Sequence, residues 1–255
     1  MAETILQARG IRKEFGGIVA LNNVDFEVRR GSITAIIGPN GAGKSTLINV
    51  MTGVTTPTAG SISLSGTTIS GLQSHEIAHL GIARTFQTAQ IFGNMTVLEN
   101  VMLGRHTKTG CGMLASALLL GRMRREEKAI RETSLLYLDM VGLSDMAQQS
   151  AASIPIGRQR LLEIGRAIAA EPTVLLLDEP AAGLNTQETR ALGELIRKIR
   201  DTGITVIIVE HDMELVMDIA DEILVLNFGL RLAWGTPEEI QANPEVIEVY
   251  LGKED

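Results

Sequence analysis

Residues 4–28 alternate apolar and polar side chains, as in Ile5, Gln7 and Ala8 and again in Val24, Asp25, Phe26, Glu27 and Val28. A period of two turns one face of an extended chain inward and the other to water, so two or three antiparallel strands are predicted. Further on the pattern changes. Residues 32–37, 174–177 and 205–209 are short, mostly apolar runs, as in strands buried on both faces of a parallel sheet. Residues 82–86 predict one more strand, leading to Gln87.

Between these strands the spacing becomes helical. Residues 47–52 suit a helix, and Ser74 can cap a short one ending near Leu80. Thr96 followed three residues on by Glu99 is a capping box, predicting a helix over 96–103. Residues 123–141 carry an apolar stripe of Ile130, Leu135, Leu138 and Val141. Residues 105–121 fit no simple period. Asn185 with Glu188 caps a helix over 186–201. Strands at 223–226 and 231–234 form a hairpin across Phe228-Gly229. Thr236-Pro237-Glu238-Glu239 then opens a last helix near Ile240. The result is one α/β domain over 1–255, with a helical subdomain inserted at 88–172 and a hairpin strand and helices closing it at 228–255.

Composition narrows the function. The chain has 255 residues, 45% hydrophobic and 21% charged, an ordinary globular balance. A net charge of -7 and only 3% aromatics leave little for an electrostatic or stacking nucleic-acid surface. One cysteine, Cys111, cannot close an intrachain disulfide, which fits the cytosol. The N-terminus lacks the basic and apolar regions of a signal peptide. No apolar run reaches the ~18–20 residues that cross a bilayer. Work at a membrane would need another subunit to do the spanning.

The strongest chemical signal is Gly38-Pro39-Asn40-Gly41-Ala42-Gly43-Lys44-Ser45-Thr46. It fits the phosphate-binding pattern G-x-x-x-x-G-K-[ST], with a strand before it and a helix after it. Glycines let the backbone wrap a phosphate, and the helix N-terminus supplies a positive field. Lys44 can reach the β/γ-phosphates, and Ser45 can offer its hydroxyl to Mg²⁺. Downstream, the apolar run 174–177 ends in Asp178-Glu179. Two carboxylates at a strand end are ordinary by themselves. With a phosphate loop upstream, Asp178 suits metal coordination and Glu179 suits activation of a water.

These motifs, in this order, resemble the ATP-binding subunit of an ABC transporter from about Ile5 to Gly252. The resemblance implies an ABC ATPase fold: a P-loop NTPase core with a mostly parallel sheet, an N-terminal antiparallel β-subdomain and an inserted helical subdomain. It puts Gln87, in Arg84-Thr85-Phe86-Gln87, at the loop whose glutamine touches Mg²⁺ and the attacking water and whose outer side faces the membrane subunit. It puts Asp178 and Glu179 at the Mg²⁺ acid and the catalytic glutamate, Ala182-Gly183-Leu184-Asn185 at the D-loop, and His211 at the switch histidine near the γ-phosphate. Phe15 matches the aromatic that stacks on adenine.

The signature differs from the common Leu-Ser-Gly-Gly-Gln, reading Ile154-Pro155-Ile156-Gly157-Arg158-Gln159. Proline offers neither hydroxyl nor N–H to a phosphate. Gly157 with the following helix N-terminus, and Arg158 by its charge, remain as binding groups. The proline narrows the resemblance to the branch that imports branched-chain and other hydrophobic amino acids. Ala181-Ala182-Gly183-Leu184-Asn185, Val209-Glu210-His211-Asp212-Met213, residues 105–125 and the ending 243–252 point the same way.

The same resemblance implies an ATPase using ATP and Mg²⁺, peripheral on the cytoplasmic face of the inner or plasma membrane. Its partners would be transmembrane permease subunits, a second ATPase subunit, identical or paralogous, and indirectly a substrate-binding protein, with no nucleic acid. Three alternatives stand beside it: another cargo (urea, another amide, or lipid export), a soluble ABC ATPase acting on nucleic acid or ribosomes, and a regulatory nucleotide-binding module. His75-Glu76-Ile77-Ala78-His79 also fits H-E-x-x-H, the zinc-protease pattern. Glu99, a candidate third ligand, is better used in its capping box, and a short surface helix accounts for the match.

Overall fold

The computed structural model describes residues 3–88, 90–105 and 120–251. Cys111 and most of the 105–125 segment lie outside the described residues. The chain forms two compact units, one from Met1–Arg84 with Thr173–Asp255 and one from Thr85–Pro172.

In the first unit the alternating N-terminal stretch forms two long strands, β1 (Thr4–Phe15) and β2 (Ile18–Arg29), paired antiparallel. β4 (Ala59–Leu64) and β5 (Thr67–Thr68) complete a four-stranded sheet in the order β2-β1-β4-β5. The second sheet has six strands, ordered β10-β9-β3-β8-β7-β6. β3 (Ile33–Ile37), β7 (Val174–Asp178) and β8 (Thr205–Val209) are buried at every position. With β6 (Ile82–Arg84) and β9 (Glu222–Asn227) they run parallel, and β10 (Leu230–Gly235) pairs antiparallel with β9. β6 is shorter than its pattern predicts, stopping at Arg84.

Helices α1 (Lys44–Met51), α2 (Ser74–His79), α6 (Thr186–Asp201), α7 (Met213–Ile219), α8 (Pro237–Gln241) and α9 (Pro244–Leu251) belong to this unit. Asn185 with Glu188 and Thr236 with Glu239 form the predicted capping boxes. At α2 the cap is Gln73, paired with Glu76, one residue earlier than the Ser74 expected. The core joins both sheets through Ile5, Leu6, Phe26, Ile36, Leu47, Leu176 and Val209, among others. Each such large side chain contributes ~1.5–3 kcal/mol on leaving water.

The second unit is helical: α3 (Val97–Arg105), α4 (Leu120–Met140) and α5 (Ile156–Ala169). Thr96 and Glu99 exchange the predicted capping bonds, so the Glu99 carboxylate is engaged there. On α4 the predicted stripe is partly displaced. Leu138 and Val141 are buried, but Leu135 is exposed and Ser134 faces inward instead. Positions 134, 138 and 141 keep the three-to-four spacing of one helix face, and 135 falls off it.

Candidate functional site

β3 ends at Ile37, and the chain turns through residues 38–43 into α1, whose first residue is Lys44. Two glycines are demanded by close approach. A Cβ on Gly38 would lie 2.2 Å from the Leu226 carbonyl oxygen, and one on Gly43 would lie 2.8 Å from that of Ala20. Both have positive φ, 151° and 104°, where side chains are strained. The loop is also pinned from outside. The Gly229 N–H donates to the Ala42 carbonyl at 3.0 Å, and the Asn22 N–H donates to the Gly229 carbonyl at 2.8 Å. The β9–β10 turn thus fastens the loop to β2.

Inside the loop the Lys44 ammonium donates to the Gly38 and Pro39 carbonyls at 2.6 and 3.1 Å. Burial pushes its pKa down, while the charges of Glu179 and Asp178 work in the opposite direction. Ser45 follows at the start of α1. The Tyr250 phenol on α9 is pushed up to about 12 by burial, opposed by a hydrogen bond donated by the Gly38 N–H.

The acidic pair stands at the end of β7. Asp178 is held by the Arg84 guanidinium at 2.9 Å, and the same guanidinium donates to the Asn49 side chain at 2.7 Å. Glu179 takes φ 47°, the left-handed region, with its N–H on the Val209 carbonyl at 2.9 Å. A non-glycine residue there costs ~1–3 kcal/mol, strain that concentrates at functional sites. His211 Nδ1 lies 4.0 Å from the Glu179 carboxylate and 3.8 Å from that of Glu210. Phe15 is half exposed at the end of β1, with the Lys13 ammonium 4.7 Å from its ring centre.

In the second unit Gln87 is exposed, on the segment that follows Thr85. Two buried polar side chains shape that segment. Glu163 of α5 accepts the Phe86 and Gln90 N–H groups at 3.3 and 3.2 Å. Asn100 of α3 brackets Phe92, accepting its N–H at 2.9 Å and donating to its carbonyl at 3.0 Å. At the signature, Pro155 is the N-cap of α5 and Ile156 is 74% exposed. The Arg158 guanidinium donates to the Gly142 carbonyl at 3.1 Å, an engagement within its own unit that the sequence did not foresee.

The chain of the first unit therefore brings together the phosphate loop, Asp178, Glu179 and His211. The residues fit a nucleoside triphosphate with its metal: a glycine cradle, a buried ammonium bonded to loop carbonyls, and two carboxylates close enough to act on it. Arg84, Glu163, Asn100, Glu210 and Tyr250 were missed as working residues. Glu163 and Glu210 had one usable signal, a carboxylate set in or against an apolar run.

The ABC transporter family profile matches residues 21–182. The chain belongs to this family. A second profile, that of a branched-chain amino acid ATP-binding cassette transporter, matches residues 232–255 of the cassette. Among its relatives is the high-affinity branched-chain amino acid transport ATP-binding protein LivG of Salmonella typhimurium. It is 43% identical over 254 residues, 99% of this chain and 100% of the relative. A solved ATP-binding cassette of an ABC transporter in its ADP conformation superposes with a TM-score of 0.85 at 34% identity, over 98% of this chain and 100% of that one. A dimeric post-hydrolysis cassette bound to ADP and Pi is similar at a TM-score of 0.77 and 26% identity, over 91% of this chain and 99% of that one.

Proposed function

We propose that this ABC cassette hydrolyses ATP with Mg²⁺ and so powers import of branched-chain or other hydrophobic amino acids through separate membrane subunits. The observation that carries the cargo is identity along the whole length of a relative named for that transport, including the last two dozen residues. A second cassette, identical or paralogous, is part of the reading, supported by the dimeric relative. So are a substrate-binding protein delivering the amino acid and a position on the cytoplasmic face of the membrane.

Each residue then has a distinct task. Lys44 exchanges its loop carbonyls for phosphate oxygens. Ser45 and Asp178 would hold the metal, which would supply positive charge to offset that of the phosphates. Glu179 takes a proton from the attacking water, a contribution of ~10²–10⁴-fold. His211, beside Glu179, steadies the γ-phosphate. Phe15 stacks on the base. Gln87 is given its metal and water contacts, and Gly157 and Arg158 their place opposite a partner's nucleotide, by the family resemblance.

The test is reconstitution of the cassette with its membrane subunits and measurement of ATP-driven uptake of labelled leucine, with urea as competitor. Leucine uptake that urea leaves unchanged supports the reading. Uptake of urea in place of leucine overturns the cargo, and ATP hydrolysis in the reconstituted complex that drives uptake of no solute overturns the transport role.

A further inference from the structure

Glu210 follows β8 and is fully buried, unusual for a carboxylate. Such a group is tolerated inside only when its oxygens are satisfied. Here one oxygen accepts the Ala181 N–H at 2.7 Å and the other accepts the His211 N–H at 3.1 Å. The Asp212 N–H is a third donor. Burial pushes the carboxyl up, and these backbone donors pull it down.

The two segments it joins are far apart in sequence. Ala181 lies two residues beyond Glu179 and opens the 181–185 stretch. His211 lies 4.0 Å from the Glu179 carboxylate. One buried side chain thus ties the backbone that follows the water-activating acid to the backbone that presents the histidine. A carboxylate offers a separate oxygen to each segment, whereas an apolar residue offers no acceptor to either. The bonds are charge-assisted and lie in a water-poor site, where they are stiff and costly to break.

We infer that Glu210 is a positioning residue that fixes His211 against Glu179 and makes the 181–185 segment and the histidine segment move as one body. This role rests on the ATPase reading. It predicts that loss of the carboxylate lowers turnover while leaving nucleotide binding by the phosphate loop intact.

The experiment uses the full chain in the assembled transporter, with Glu210→Gln, His211→Ala, the double variant, Glu210→Asp, and Glu179→Gln as control. Glu210→Gln keeps the shape and one acceptor. Expected are a folded fraction and ATP affinity within about twofold of the parent and a kcat lowered at least about tenfold. The double variant should be no slower than His211→Ala alone, since both changes remove one device. Glu210→Asp should recover part of the rate.

Multiplicative losses in the double variant overturn the inference. So does a rate that falls only in proportion to folded protein, or a Glu210→Gln at the parent rate while Glu179→Gln is dead. If Glu179→Gln and His211→Ala both run at the parent rate, the site reading itself has failed.

Discussion

The Arg84 guanidinium lies 2.9 Å from the Asp178 carboxylate, and both side chains are about nine-tenths shielded from solvent. The same guanidinium reaches Asn49 and Thr52 beside α1. One arginine on β6 therefore joins the helix behind the phosphate loop to the acid that faces it. Removing one partner of a buried ion pair strands the other, at a cost of ~3–5 kcal/mol. Arg84→Ala should show that loss in chemical denaturation of the full chain. Arg84→Lys should recover part of it, because ammonium keeps the charge but not the planar fork. A loss below about 1 kcal/mol, the exposed-pair range, would mean the pair is not shielded.

Lys44 and Glu179 should fail in different ways. Lys44→Ala removes charge-assisted bonds of ~1.5–3 kcal/mol, so ATP affinity should fall roughly ten- to a hundredfold. Glu179→Gln keeps the shape and loses the base, so ATP should bind near parent affinity while turnover drops ~10²–10⁴-fold. Equilibrium binding of a fluorescent ATP analogue and single-turnover hydrolysis separate the two. Parent-rate hydrolysis by Glu179→Gln would remove it as the base.

Glu163 makes a pH prediction. Burial pushes its carboxyl above the ordinary 4.5, against the Phe86 and Gln90 N–H groups and the Arg166 charge. Below 4.5 the group is protonated in both folded and unfolded chains, and its stabilising contribution is complete. As pH rises through the elevated folded value, the buried proton is lost and stability falls with it. Glu163→Gln has no such titration. Its Tm relative to the parent should therefore rise between pH 4.5 and neutrality. A constant difference across that window would show that Glu163 does not titrate above the ordinary range.

Phe92 separates packing from partner contact. Its backbone is clamped by Asn100, yet its ring is 52% exposed, with the Arg166 guanidinium 5.4 Å from the ring centre. Truncating a buried aromatic costs ~3–5 kcal/mol. Losing an exposed cation–π contact costs only ~0.5–1 kcal/mol. Phe92→Ala should accordingly fold and bind ATP near parent levels but uncouple hydrolysis from transport in the reconstituted complex. A Tm drop of the buried kind, with transport falling only in step with folded protein, would assign Phe92 to packing.

The parts legible in the sequence were those whose physics is local. Period-two alternation in 4–28, the apolar runs of β3, β7 and β8, and the capping boxes at Thr96, Asn185 and Thr236 each depend on residues within one turn or one strand. The phosphate loop is local as well: glycines at 38, 41 and 43 and Lys44 at the helix start come from strand, turn and helix in succession. The partners of Arg84, Asn100, Glu163 and Glu210 were not legible. A buried charge is tolerated only where distant donors or acceptors converge on it, and nothing near Glu210 in sequence names Ala181 as its partner. Likewise Leu135 and Ser134 exchanged faces of α4, because a helix stripe is fixed by what packs against it. Sequence alone determined the elements and the chemistry of the nucleotide loop, since short-range sterics and hydrogen bonding dictate both. Only the tertiary structure decided which buried polar side chains hold that chemistry in place, because their energy comes from contacts that chain proximity does not encode.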